Sequence, residues 1–125
     1  MPPMSKPEVI FMPHANIQYS QLAPEKRAWV VENCYRPLFE LVEKNECRIA
    51  FEASGRTLEV MAEECPAVLK QLRGLVQAGL IEPVGSPFIH IMLTNVDPEI
   101  GLDTLKHGIE AWEKYTGVRP ETGWN

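Results

Sequence analysis

Apolar residues along this chain fall into short unbroken runs and into longer stretches spaced at three and four, and the two kinds alternate. The first short run is Val9-Ile10-Phe11-Met12. Four apolar residues without alternation predict a strand covered on both faces, and Pro13 ends it because proline brings no N–H to a ladder. The polar stretch from His14 to Ala23 then reads as a loop. Pro24-Glu25 predicts a helix start, with proline in the first turn and an acid at the positive end of the dipole. Trp29, Val30, Cys34, Leu38, Leu41 and Val42 follow as one apolar stripe, interrupted by Pro37, which predicts a kink or two abutting helices near Tyr35 and Arg36. Lys44-Asn45 marks the helix end, with Asn45 as the residue tolerant of the left-handed conformation.

The alternation continues. Cys47 to Phe51 predicts a second strand, Ser54-Gly55 a break, and Thr57, Leu58, Val60 and Met61 a brief helix. Pro66 starts another helix, striped by Val68, Leu69, Leu72, Leu75 and Val76 and closed by Gly79. Ile81 to Gly85 is a third strand, expected to be short or irregular because it contains Pro83. A loop over 86–97 leads to Pro98-Glu99 and a helix carrying Leu102, Leu105, Ile109 and Trp112, which ends at Thr116-Gly117. Gly123-Trp124 opens a fourth strand. Trp29 and Trp112, both on helical stripes, are expected in the core. Residues 1–7, with three prolines and no apolar pattern, read as an extended tail, so the fold is expected over 8–125.

Strands alternating with helical crossovers imply a parallel sheet and an α/β fold. Two architectures fit, an open doubly wound sheet and the first part of a (β/α) barrel; both put chemistry at the carboxyl ends of the strands. A closed eight-fold barrel runs to roughly 250 residues, so a barrel of 125 residues would be partial. The chain is thus expected to be truncated at its C-terminus, with the missing C-terminal part of the same protein as its partner. No GxGxxG or Walker pattern follows any strand, which removes the nucleotide reading.

Net charge narrows the partners. Twelve Lys and Arg against 17 Asp and Glu give −5, with the cations dispersed, so nucleic acid is not an expected partner. Membrane is not expected either, because the chain holds no run of 18 apolar residues and no secretory h-region; the expected address is cytoplasmic. Cys34, Cys47 and Cys65 are an odd set without CxxC spacing and read as reduced thiols.

On the predicted carboxyl rim stand His14, Asn16 and Gln18 after the first strand, Glu52 and Ser54 after the second, Ser86 and His90 after the third, and Trp124 at the fourth. Amides, imidazoles, a carboxylate and an indole suit neutral sugar hydroxyls, which need donors, acceptors and an apolar face. Each also has a plainer reading. His14 could tie its own loop, Asn16 could cap a turn, and Glu52 could be a solvated acid beside Arg56. His90, between Ile89 and Ile91, keeps the company of a core histidine. A metal site is not expected: no Asp precedes Asp97, and His90 and His107 are far from a shared helical turn. No other cofactor is implied.

Four segments together carry a resemblance: VIFMPHANIQYS at 9–20, YRPLFELVEKNECRIAFEASGRTLEVM at 35–61, LRGLVQAGLIEPVGSPFIHIML at 72–93 and YTGVRPETGWN at 115–125. In this order they resemble the opening of glycoside hydrolase family 57. The resemblance implies the N-terminal part of a distorted seven-stranded (β/α) barrel, and a retaining hydrolase or glucanotransferase acting on starch- and glycogen-like α-glucans. His14 and His90 would then contact sugar in the glycone subsite and Trp124 would wall it, with Asn16 and Glu52 beside them. The family's catalytic Glu and Asp would lie beyond Asn125, leaving no catalytic residue here. A polysaccharide deacetylase-like enzyme and a non-catalytic carbohydrate-binding module are the alternatives.

Overall fold

A computed structural model of the chain describes residues 6–18 and 21–124. The first five residues of the expected tail, and Asn125, lie outside them. Four strands, β1 (His14–Ala15), β2 (Ile49–Ala53), β3 (Ile81–Gly85) and β4 (Thr122–Gly123), form one parallel sheet in the order β1-β2-β3-β4. Sequential parallel neighbours joined by helices confirm the α/β class.

The helices are α1 (Arg27–Val30) and α2 (Arg36–Asn45), joined by a π-turn over Val31–Tyr35, then α3 (Gly55–Glu64), α4 (Pro66–Gln77) and α5 (Pro98–Thr116). They cover one face of the sheet. Phe51 of β2 meets the rings of Tyr35 and Phe39 edge-on at 5.8 and 5.1 Å. Ala53, on the same side of β2, accepts a hydrogen bond from Trp112 Nε1 of α5 at 3.2 Å, and α4 packs against both α2 and α5. Helices gathered on one face are what the early strands of a barrel have, whereas a doubly wound sheet carries them on two. The opposite face belongs to the side chains of even-numbered β2 residues, Ala50 and Glu52.

Several sequence expectations change. The first apolar run is not a strand covered on both faces: Val9, Ile10 and Phe11 are 91%, 79% and 59% exposed. Nor does Pro13 end the strand, since the sheet pairing assigned to β1 starts immediately after it. The carbonyls of Phe11 and Pro13 accept from Ala50 and Glu52 at 3.1 and 3.2 Å, so the segment already runs beside β2. In that register Met12 faces Ala50, and the second bond of this bridge would need the N–H that Pro13 lacks. The second strand begins two residues later than expected, at Ile49.

Pro83 does not make β3 irregular. The Leu80 carbonyl bonds β2 through Ile49 N, and the Gly85 carbonyl bonds the segment of β4 through Trp124 N. Odd-numbered residues of β3 therefore face β4, whose pairing starts only at Val84↔Thr122, so the missing N–H of Pro83 is needed by no ladder.

Near Pro37 two helical segments abut, α1 and α2, with the π-turn between them. Arg36 N–H reaches back five residues to Val31 O, and this π-turn absorbs the bond that Pro37 cannot make. Glu46, with φ 49°, takes the left-handed position instead of Asn45. Trp112 is in the core, but Trp29 is 58% exposed. The buried stripe is Val31, Tyr35, Phe39 and Val42, displaced from the one expected, so Trp29 and Leu41 both end outside. Among the described residues, no helix is long and apolar enough to cross a membrane.

Candidate functional site

Glu52 is the hub of the site. It lies within β2, not in the loop after it, and it is wholly buried. Its register partners are His14 on β1 and Val84 on β3, and Val84 in turn faces Thr122 on β4. Register partners in a sheet project to one face, so this row crosses the sheet on the side away from Phe51 and the helices. His14 is likewise on a strand, where the sequence placed it in a loop. Its Nδ1 lies 2.8 Å from Glu52 Oε2, and the ring remains half-exposed.

His90 arrives from the loop after β3, and its Nε2 lies 2.9 Å from the other carboxylate oxygen, Oε1. That loop is tightly seated. Phe88 donates its N–H to Thr104 O and accepts from Arg56 N, both at 2.8 Å. The chain at 86–88 lies so close on Gly108 of α5 that a Cβ there would stand 1.9 Å from Ser86 O. Trp124 is fixed by the bond from its N–H to Gly85 O, and its ring centroid is 5.4 Å from that of His14.

These groups line a hollow of about 320 Å³ with Asn16, Ile91 and Met92, within the range of small-ligand sites. All five residues expected at the rim, His14, Asn16, Glu52, His90 and Trp124, line it together. Asn16 also has the plainer role, since its Oδ1 accepts from Gln18 N at 3.1 Å in a local turn; its amide NH₂ is left for other partners. Glu52 does not pair with Arg56, which is held on α3 by Glu59 and Glu63.

Ser54 belongs to the scaffold. It caps α3 by accepting from Thr57 N, and Thr57 Oγ1 donates to Ala15 O at 2.9 Å, tying the residue after His14 to the helix. The apolar wall of Ile91 and Met92 was not singled out in the sequence. The run that flanks His90 carried the signal, but its spacing fits neither a strand nor a helix.

The two histidines meet different oxygens of one carboxylate, so the trio is a hydrogen-bonded chain, not a set of donors converging on a point. Among the described residues no cluster of three His, Cys, Asp or Glu side chains is arranged to hold a metal ion. Beneath the site, burial pushes the Tyr35 phenol well above its ordinary range, with the negative charges of Cys34 and Glu52 adding to the effect. A larger groove of about 570 Å³ between α3 and α5, floored by Phe88 and Ala111, contains none of the five rim residues.

Known proteins resemble this chain in sequence and in fold. The chain is 27% identical over 94 residues to an alpha-amylase of Pyrococcus furiosus, covering 74% of this chain and 14% of that protein. It is 28% identical over 101 residues to an alpha-amylase of Pyrococcus abyssi, covering 77% and 15%. Among solved structures, the 4-alpha-glucanotransferase of Thermococcus litoralis superposes with a TM-score of 0.67 at 28% identity, over 75% of this chain and 16% of that one. A protein described as a polysaccharide deacetylase from Mycobacterium smegmatis shares the fold, with a TM-score of 0.59 at 20% identity over 83% and 34%. The chain therefore spans about one seventh of the length of the curated relatives it matches. The sequence profile of glycosyl hydrolase family 57 matches residues 5–125, nearly the whole chain, and the chain belongs to that family.

Proposed function

We propose that this protein acts on α-glucans, cleaving or transferring glucosidic linkages, and that residues 8–125 supply the sugar-gripping part of a (β/α)-barrel catalytic domain. The observation that carries the reading is the gathering of His14, Asn16, His90 and Trp124 around one hollow at the carboxyl edge of a parallel sheet. Imidazole and amide groups give donors and acceptors to hydroxyls, and the exposed indole of Trp124 offers a face to the C–H side of a sugar ring. No Lys or Arg lines the hollow, which disfavours phosphorylated ligands. The named relatives, two alpha-amylases and a 4-alpha-glucanotransferase, point to α-linked glucose as the sugar. A reducing, cytoplasmic setting fits three cysteines that are all free thiols.

Calorimetric titration with maltotriose tests this reading. Binding is expected, and Trp124→Ala should weaken it about tenfold, the loss of one stacking and apolar contact. Absence of binding at millimolar maltotriose, or zinc-dependent release of acetate from an acetylated polysaccharide, would overturn it.

A further inference from the structure

The buried carboxylate of Glu52 cannot meet a sugar itself, yet it touches both groups that could. We propose that Glu52 is a positioning residue: it fixes which nitrogen of His14 and of His90 carries the proton, and thereby which hydrogen bonds the hollow offers. The inference rests on the sugar-site reading only for what the ordered histidines then do.

Glu52 is 0% exposed, so no dissolved ligand reaches its oxygens. An ionised carboxylate only accepts, so each nitrogen facing it must bring a hydrogen. His14 meets it through Nδ1 at 2.8 Å and His90 through Nε2 at 2.9 Å. One carboxylate thus imposes opposite tautomers on two histidines, each 38 positions away in sequence. A free histidine side chain favours the Nε2–H form, so the form imposed on His14 is the one it would otherwise populate less.

The consequence falls on His14. His90 Nδ1 is buried, whereas the half-exposed His14 ring lines the hollow. With Nδ1 committed to Glu52, the Nε2 of a neutral His14 is an acceptor beside Trp124, and it selects a ligand that brings a hydroxyl hydrogen to that point. A carboxylate behind an imidazole plays the same orienting part wherever one ring nitrogen has to be kept free for another task.

The full chain, labelled with ¹⁵N-histidine and free of sugar at mildly alkaline pH, gives a direct test by two-bond ¹H–¹⁵N correlation, with His107 identified through His107→Gln. The expected result is His14 as the Nδ1–H tautomer and His90 as the Nε2–H tautomer. Glu52→Gln presents an NH₂ in place of one oxygen, so one of the two histidines should change tautomer, and maltotriose affinity should fall about tenfold with the loss of one correctly directed hydrogen bond. His14 found as Nε2–H in the wild-type chain, or the same tautomers in Glu52→Gln, would overturn the proposal. The wild-type spectrum decides even where the variant fails to fold. The expected tautomers in a chain that binds no maltotriose would support the positioning role while the sugar-site reading fails.

Discussion

Tyr35 shows how the core beneath the site responds to charge. Its phenol is buried against Phe51, and burial holds its pKa above the usual value, with Cys34 and Glu52 reinforcing the shift. An acid whose folded pKa is raised binds its proton more tightly in the native state. The stabilisation is fully present below the unfolded value of about 10 and is lost as pH rises from there toward the folded pKa. Urea midpoints measured from about pH 9 to about pH 11 should therefore fall more steeply for the wild type than for Tyr35→Phe. Equal slopes would show that Tyr35 is not the group responsible. Residue types were legible in the sequence: Asn16, His90 and Trp124 line one hollow with His14, although His14 lies on β1 and not in the loop after it. Glu52 was legible as a site residue but not as a buried one, because its neighbour in sequence, Arg56, is not its partner, and the histidines that are come from β1 and from the loop after β3.

At the scale of elements, glycines decide how close the His90 loop lies to the helices. Gly108 has no room for a side chain, since its Cβ would strike the backbone at Ser86 and Pro87. Gly55 is pressed only by the Phe88 ring, which can turn aside. Gly74, in the middle of α4, has open space around it. Gly108→Ala is expected to destabilise by about 1–3 kcal/mol and, by shifting the loop, to weaken maltotriose binding as well. Gly55→Ala should cost less than Gly108→Ala, and Gly74→Ala should stabilise by about 0.5–1 kcal/mol. Chemical denaturation of the three variants gives the order directly, and a neutral Gly108→Ala would contradict the close approach. Helix limits at Pro66, Pro98, Gly79 and Gly117 were readable from cap and breaker residues, as was Pro24, which opens a 3-10 turn (Pro24–Lys26) leading into α1. The π-turn was not, because Pro37 announces a lost hydrogen bond without saying how the helix accommodates it.

Among the described residues, one carboxylate lines the hollow between His14, His90 and Trp124, and it is buried between the two histidines. Retaining glycoside hydrolysis needs two carboxyl groups about 5–5.5 Å apart, one as nucleophile and one as acid. The 125-residue chain by itself is therefore expected to release no reducing sugar from maltooligosaccharides. Turnover that survives rigorous purification, and disappears in Glu52→Gln, would refute this. The exposed Val9-Ile10-Phe11 segment, lying beside β2, leaves an apolar sheet margin of the kind that proteins ordinarily pair or cover.

The sequence by itself determined the order of strands and helices, their parallel direction and the family, because these depend on local periodicity, on breakers and on chain connectivity. Tertiary structure alone decided that Glu52 is a hub inside the sheet, that Trp29 faces water and that the apolar run before Pro13 stays uncovered on its outer side. Those outcomes depend on strand register and on helix rotation. A register is shared between strands far apart in the chain, and the side that a helix turns to the core is set by what it packs against, so neither can be read from one segment alone.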